Sequence, residues 1–123
     1  MEHEKERLRV VVACSEPSLR ILLEGLFAAS GAEVEGVGSH KALLGRVLRG
    51  DYDLVVTRFA EPLLDSPQGV ATLRGRGLKT RLFLIADHLS AEASVALLER
   101  GVSQLFTLPV SVTRLRAKMG QKI

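Results

Sequence analysis

The 123-residue sequence predicts an α/β protein, a doubly wound five-stranded parallel sheet of the (βα)5 kind with helices on both faces. Two observations predict it. Short apolar runs rich in β-branched residues alternate along the chain with longer segments whose leucines recur every three or four residues, and glycine or proline separates most of these segments. Such alternation in one short domain requires right-handed crossovers and therefore parallel strands covered on both sides.

The first strand is Leu8 to Ala13, broken only by Arg9, with Val10, Val11 and Val12 suited to burial on both faces. The period then changes: Leu19, Leu22, Leu23, Leu26 and Phe27 predict a helix from about Glu16 to Ser30, with Pro17 in its first turn and Gly31 closing it. A short strand over Glu33 to Val37 follows. Ser39 is then placed to cap a helix carrying Leu43, Leu44, Val47 and Leu48 and ended by Gly50.

Leu54 to Thr57 predict the third strand, and "RFAEPLLDSPQG" reads as a loop by its two prolines and its glycine. A weak helix around Val70 to Arg74 is limited by Gly75 and Gly77. Leu82 to Ala86 predict the fourth strand, and Ser90 to Arg100 a helix with Val95 and Leu98 inward and Gly101 as its stop. Leu105 to Thr107 predict the fifth strand, ended by Pro109. Ser111 then caps a last helix bearing Val112, Leu115 and Met119.

No repeat or linker divides the chain, so residues 1–123 are expected to form one domain. With four Phe, one Tyr and no Trp, the core must be aliphatic and base-stacking platforms are scarce. The single cysteine cannot form an internal disulfide, and no apolar stretch reaches the roughly eighteen residues that span a bilayer. A cytoplasmic protein without membrane contact is expected. The net charge of +3 is a mild excess; Arg74, Arg76, Lys79 and Arg81 cluster, as do Arg114, Arg116, Lys118 and Lys122, but as solvated faces rather than as a nucleic-acid site. His3, His40 and His88 are too scattered to form a metal set, and neither metal nor cofactor is expected.

In a doubly wound sheet, function belongs at the carboxyl ends of the strands. There the segment "VVACSEPSLR", residues 11–20, holds Cys14 and Arg20 separated by five residues, the spacing of a phosphatase nucleophile loop in which a thiolate attacks phosphorus. The residues between oppose that chemistry. Pro17 lacks an amide hydrogen, Glu16 is negative where a dianion must sit, and "SEPSL" has no glycine to curl the backbone around a phosphate.

The same segment, with "DYDLVVTRFAEP", "LFLIAD" and "ALLERGVSQLFTLP" in that order and spacing, resembles the receiver domain of bacterial two-component response regulators over nearly the whole chain. The resemblance implies the flavodoxin-like form of the fold. It is carried by scaffolding residues: Glu16 and Pro17, Asp51 to Leu54, Pro62, Gly101 and Pro109. It also implies a cis Leu108–Pro109 bond. The family's chemical residues are replaced: its acidic metal-binding pair falls on Cys14 and Ser15, its phospho-acceptor aspartate on Arg58, its Thr/Ser on Ala86 and its lysine on Leu108. Its aromatic switch position falls on Leu105.

Independently of the resemblance, magnesium requires hard oxygen ligands, and phosphoryl transfer needs an acceptor whose developing charge is neutralised. A thiol, a hydroxyl and a permanently charged guanidinium supply neither. The expected protein is therefore not an enzyme but a pseudo-response regulator that acts without phosphorylation, through protein–protein contact. Arg58 is expected to pair with Asp87 first and Glu16 second. By resemblance, the face of the last two helices and fifth strand, with Glu92, Ala96, Glu99, Arg100, Leu105, Arg114 and Lys118, would meet a protein partner, an output domain or a second copy. The alternative function is a small-anion or nucleotide sensor using Arg58, Ser15 and the amides that open the first helix.

Overall fold

A computed structural model describes residues 7–39, 42, 43, 45, 46, 52–58 and 80–119. Its elements are β1 (Arg9–Ala13), α1 (Pro17–Ala29), β2 (Glu33–Val37), β3 (Leu54–Arg58), β4 (Arg81–Ala86), α2 (Ala91–Glu99), β5 (Gln104–Thr107) and α3 (Val112–Met119). Residues 42, 43, 45 and 46 are also helical, with Ser39 Oγ accepting from the Ala42 amide at 3.1 Å. The weak helix expected at Val70 to Arg74 lies outside the described residues, as do His3 and His40.

The five strands form one parallel sheet in the order β2-β1-β3-β4-β5. Strand side chains alternate between faces, and both faces are covered. Val10, Val12, Leu54, Val56, Phe83, Ile85 and Phe106 meet Leu19, Leu23 and Phe27 of α1 and Leu115 of α3 on one side. Val11, Ala13, Val55, Leu82 and Leu84 meet Leu43, Leu97 and Val102 on the other. Burial on both faces explains why these strands are continuous apolar runs and do not alternate with polar residues.

Glycine ends two of the helices by the same geometry. Gly31 (φ 93°) follows α1, where the Gly31 amide donates to Ala28 O and the Ala32 amide to Phe27 O. Gly101 (φ 108°) follows α2, with Gly101 donating to Leu98 O and Val102 to Leu97 O. The left-handed residue turns the chain back so that the next apolar side chain packs under the helix, as Val102 does with Leu97.

That closure sets the phase of α2 and corrects one expectation. Val95 and Leu98 are 53% and 49% exposed, and Leu97 is the buried leucine. Ser90 begins the helix, its Oγ accepting from the Ala93 amide, and the Leu97–Val102 contact ends it, so a nine-residue helix has one inward stripe fixed at both ends. In α1, Leu22 likewise faces solvent while Leu19, Leu23 and Phe27 are buried. In α3, Val112 is 39% exposed and Leu115 is the buried residue.

Candidate functional site

The carboxyl ends of β1, β3, β4 and β5 bring Cys14, Ser15, Glu16, Arg58, Ala86, Asp87 and Leu108 to one edge of the sheet. Each is placed by its strand register: Ala13 pairs with Thr57, Arg58 with Ile85, and Ala86 with Thr107. Cys14 is buried, its amide donating to Val37 O at 3.1 Å and its thiol to Glu16 O at 3.6 Å. Ser15 is exposed. Ala86 is buried and its carbonyl accepts from the Leu108 amide at 2.9 Å, while the Leu108–Pro109 bond is cis.

Arg58 dominates the edge. Its Nη1 donates to Glu16 Oε1 at 2.9 Å and its Nη2 to Asp87 Oδ1 at 2.5 Å, so one guanidinium ties the β1–α1 loop to the β4–α2 loop. The Arg58 side chain is 22% exposed, whereas Glu16 and Asp87 are 51% and 70% exposed. Burial opposes the charged guanidinium, but the hydrogen bond and charge of Asp87, followed by the charge of Glu16, outweigh it and raise the Arg58 pKa above its ordinary value. The acids remain in water on one side, so this is a semi-exposed bridge and not a buried ion triad.

Arg20 reaches back from α1, and its Nη1 donates to the carbonyl of Cys14 at 2.8 Å. A phosphate cradle presents amide hydrogens to its ligand; here the arginine six positions beyond the cysteine is engaged by a backbone carbonyl of the same loop. The Arg58 fork is likewise committed to two carboxylates, which would have to yield before an anion could bind. Among the described residues no group of three or more His, Cys, Asp and Glu is arranged to hold a metal ion.

On the second surface singled out by sequence, Glu92, Glu99, Arg100 and Arg114 are exposed, but Ala96 and Lys118 are half-buried. Lys118 lies near Arg81, whose Nη1 donates to the Lys118 carbonyl at 3.5 Å. Leu105 is partly buried against the core on the α2 side of the sheet. Arg114 stacks over the Phe106 ring, with its guanidinium carbon 4.5 Å from the centroid.

Sequence reasoning missed a polar cluster at the opposite end of the strands. Tyr52 donates its hydroxyl to Glu35, Glu35 Oε2 accepts from Arg46 at 2.7 Å, and Arg9 lies over the Tyr52 ring at 5.0 Å. The Arg9 amide donates to Asp53 Oδ2 at 2.8 Å. Burial first, then the hydrogen bond and charge of Glu35, raise the Tyr52 pKa. These residues come from segments far apart in sequence, and no spacing announces the cluster.

No family model matches the chain. The transcriptional regulatory protein TcrA of Mycobacterium tuberculosis is 26% identical over 112 residues, which is 91% of this chain and 44% of that protein; the chain thus spans less than half the length of this relative. Among solved structures, the receiver domain of the Francisella response regulator 1452 superposes with a TM-score of 0.83 at 21% identity, covering 91% of this chain and 93% of that one. A two-component response regulator from Clostridium difficile gives 0.83 at 13% identity, over 92% of this chain and 93% of its own. The chemotaxis response regulator CheY4 of Vibrio cholerae gives 0.81 at 16% identity, over 93% and 97%. The chain therefore has the flavodoxin-like, CheY-like fold of receiver domains.

Proposed function

We propose that this chain is a pseudo-receiver: a cytoplasmic bacterial signalling module that takes no phosphoryl group and works by protein–protein contact. The carrying observation is Arg58, which stands where the resemblance assigns the phospho-acceptor and is bridged to Glu16 and Asp87. A fixed cation there repels divalent metal, and a guanidinium cannot form an acyl phosphate. The bridge also makes, without a ligand, a connection between two loops of the sheet edge.

The contact surface in this reading is α2, β5 and α3. Val95, Leu98 and Val112 expose apolar area there, and the helices differ in charge: α2 carries Glu92 and Glu99 without a basic residue, whereas α3 carries Arg114, Arg116 and Lys118 without an acidic one. A partner or output domain of matching pattern, or a second copy turned so that α2 meets α3, would find both apolar area and opposite charge.

The test is incubation with magnesium and a small-molecule phosphodonor or a beryllofluoride mimic, followed by intact mass and amide chemical shifts. Unchanged mass and unchanged shifts at Cys14, Arg58 and Ala86 are expected; a stable acyl phosphate would overturn the reading. Partner capture from the native cell with wild type and with the double variant Arg114→Glu and Lys118→Glu tests the surface, the variant being expected to lose its partner.

A further inference from the structure

Burial anchors α2 at one end only. Leu97 is its buried residue, and the first five positions, Ala91 to Val95, contribute none. Apolar burial is what ordinarily seats a short helix on a sheet, because a helix of this length is not stable in water by itself. Here that anchor lies near the last turn, where Leu97 packs with Val102 beyond the reversal at Gly101. The N-terminal half depends on what precedes it.

What precedes it is short. β4 ends at Ala86 and Ser90 caps α2, so residues 87–89 alone join them. Leu89 packs against the core on the α2 side, and Asp87 Oδ1 accepts from Arg58 Nη2 at 2.5 Å. Arg58 closes β3, the central strand of the sheet, in register with Ile85 of β4, and its other terminal nitrogen is held by Glu16. The guanidinium is thus a braced post, to which the loop feeding α2 is fastened by one exposed carboxylate.

We infer that the Arg58–Asp87 contact is a catch on α2. Closed, it seats the start of the helix and fixes the exposed Glu92 and Val95 relative to the sheet. Released, it lets the first turns of α2 unwind as far as Leu97, which stays in place as the hinge, so the opening spares the sheet. Asp87 is 70% exposed, so the contact is screened by water and opens at small cost, and dissolved salt weakens it further. The consequence for a partner rests on α2 belonging to the contact surface proposed above: the catch holds that surface in one arrangement without a ligand.

Native-state hydrogen exchange on the whole chain tests the catch, with urea unfolding of each variant as the folding control. The reporters are the amides of Ser94, which donates to Ser90 O, and of Val95 and Ala96; strand amides of β1 and β3 are the reference. In wild type the α2 reporters should exchange faster than the strand amides. Asp87→Asn should accelerate the reporters about two- to fivefold. Arg58→Met should do the same, and the double variant should add nothing further. Raising sodium chloride from about 0.1 M to about 1 M should accelerate the reporters in wild type and not in Asp87→Asn. A bridge that breaks only on global unfolding would instead leave α2 exchange unchanged and accelerate the strand amides alone; that result, or an equal salt response in wild type and variant, would overturn the inference. The readout involves neither phosphodonor nor partner, so it stands or fails separately from the function proposed above.

Discussion

At the residue scale, Arg58 and Tyr52 illustrate how partly buried charge is managed. Arg58 is held by two carboxylates that are themselves more than half exposed, so solvent screens both contacts. Asp87→Asn should therefore cost only about 1 kcal/mol or less, with Glu16 still in place. Losing both acids should cost more than the sum of the single losses, because only then is the guanidinium without a carboxylate; denaturant unfolding of the singles and the double reads this directly. Tyr52 makes the opposite case of a neutral group that burial and Glu35 keep protonated. Its folded pKa lies above the unfolded value of about 10. The stability this contributes is complete below that unfolded value and is lost as pH rises through the higher folded one. The chain has a single tyrosine, so tyrosinate absorbance reports this site alone; the midpoint should lie above that of the denatured chain, and Glu35→Gln should bring the two closer.

At the element scale, α2 decides between two readings of one apolar pattern. Leu97→Ala, at a fully buried position, should cost about 2–5 kcal/mol, whereas Val95→Ser and Leu98→Ser should each change stability by no more than about 0.5 kcal/mol. Equal effects at all three would mean that the helix is rotated from the phase described. The error of reading Val95 and Leu98 as inward shows where local pattern fails. In a nine-residue helix with leucines at 97 and 98 and valine at 95, the apolar residues do not confine themselves to one face, and the burying stripe is chosen by the Leu97–Val102 contact beyond the helix end. The strands were legible for the opposite reason: Val10 to Val12, Leu54 to Val56 and Leu82 to Ile85 are apolar at every position, which only burial on both faces rewards. The caps at Ser39 and Ser111 were legible because a serine hydroxyl at a helix start satisfies an amide that nothing else reaches, and Ser90, read as the start of its helix, caps it in the same way. The engagement of Arg20 by Cys14 O was not legible, since sequence spacing cannot tell which way a long side chain turns on its helix.

At the scale of the whole molecule, the sheet edge carries a thiol, a hydroxyl and a guanidinium at Cys14, Ser15 and Arg58, the positions to which the proposed reading assigns the acidic residues of receivers. Cys14 and Ala86 are buried, and the ion bridge across them is internally neutralised but for one carboxylate. Thermal stability should accordingly be the same in magnesium and in chelator. Converting the edge by Cys14→Asp, Ser15→Asp and Arg58→Asp together would add three carboxylates and remove the cation that holds Glu16 and Asp87. Five acids would then converge without the guanidinium that paired two of them, and the one at position 14 would sit in a site that is 2% exposed. Desolvation and like charge both act against their ionised forms. The triple variant should thus be less stable than wild type at neutral pH and recover part of the loss as pH falls and the acids protonate. Magnesium should restore stability in proportion to its binding, by about 2.7 kcal/mol at a hundredfold excess over the dissociation constant. Unfolding scans across magnesium concentration measure this. A triple variant indifferent to magnesium would show that the edge lacks the geometry of a cation site whatever its side chains.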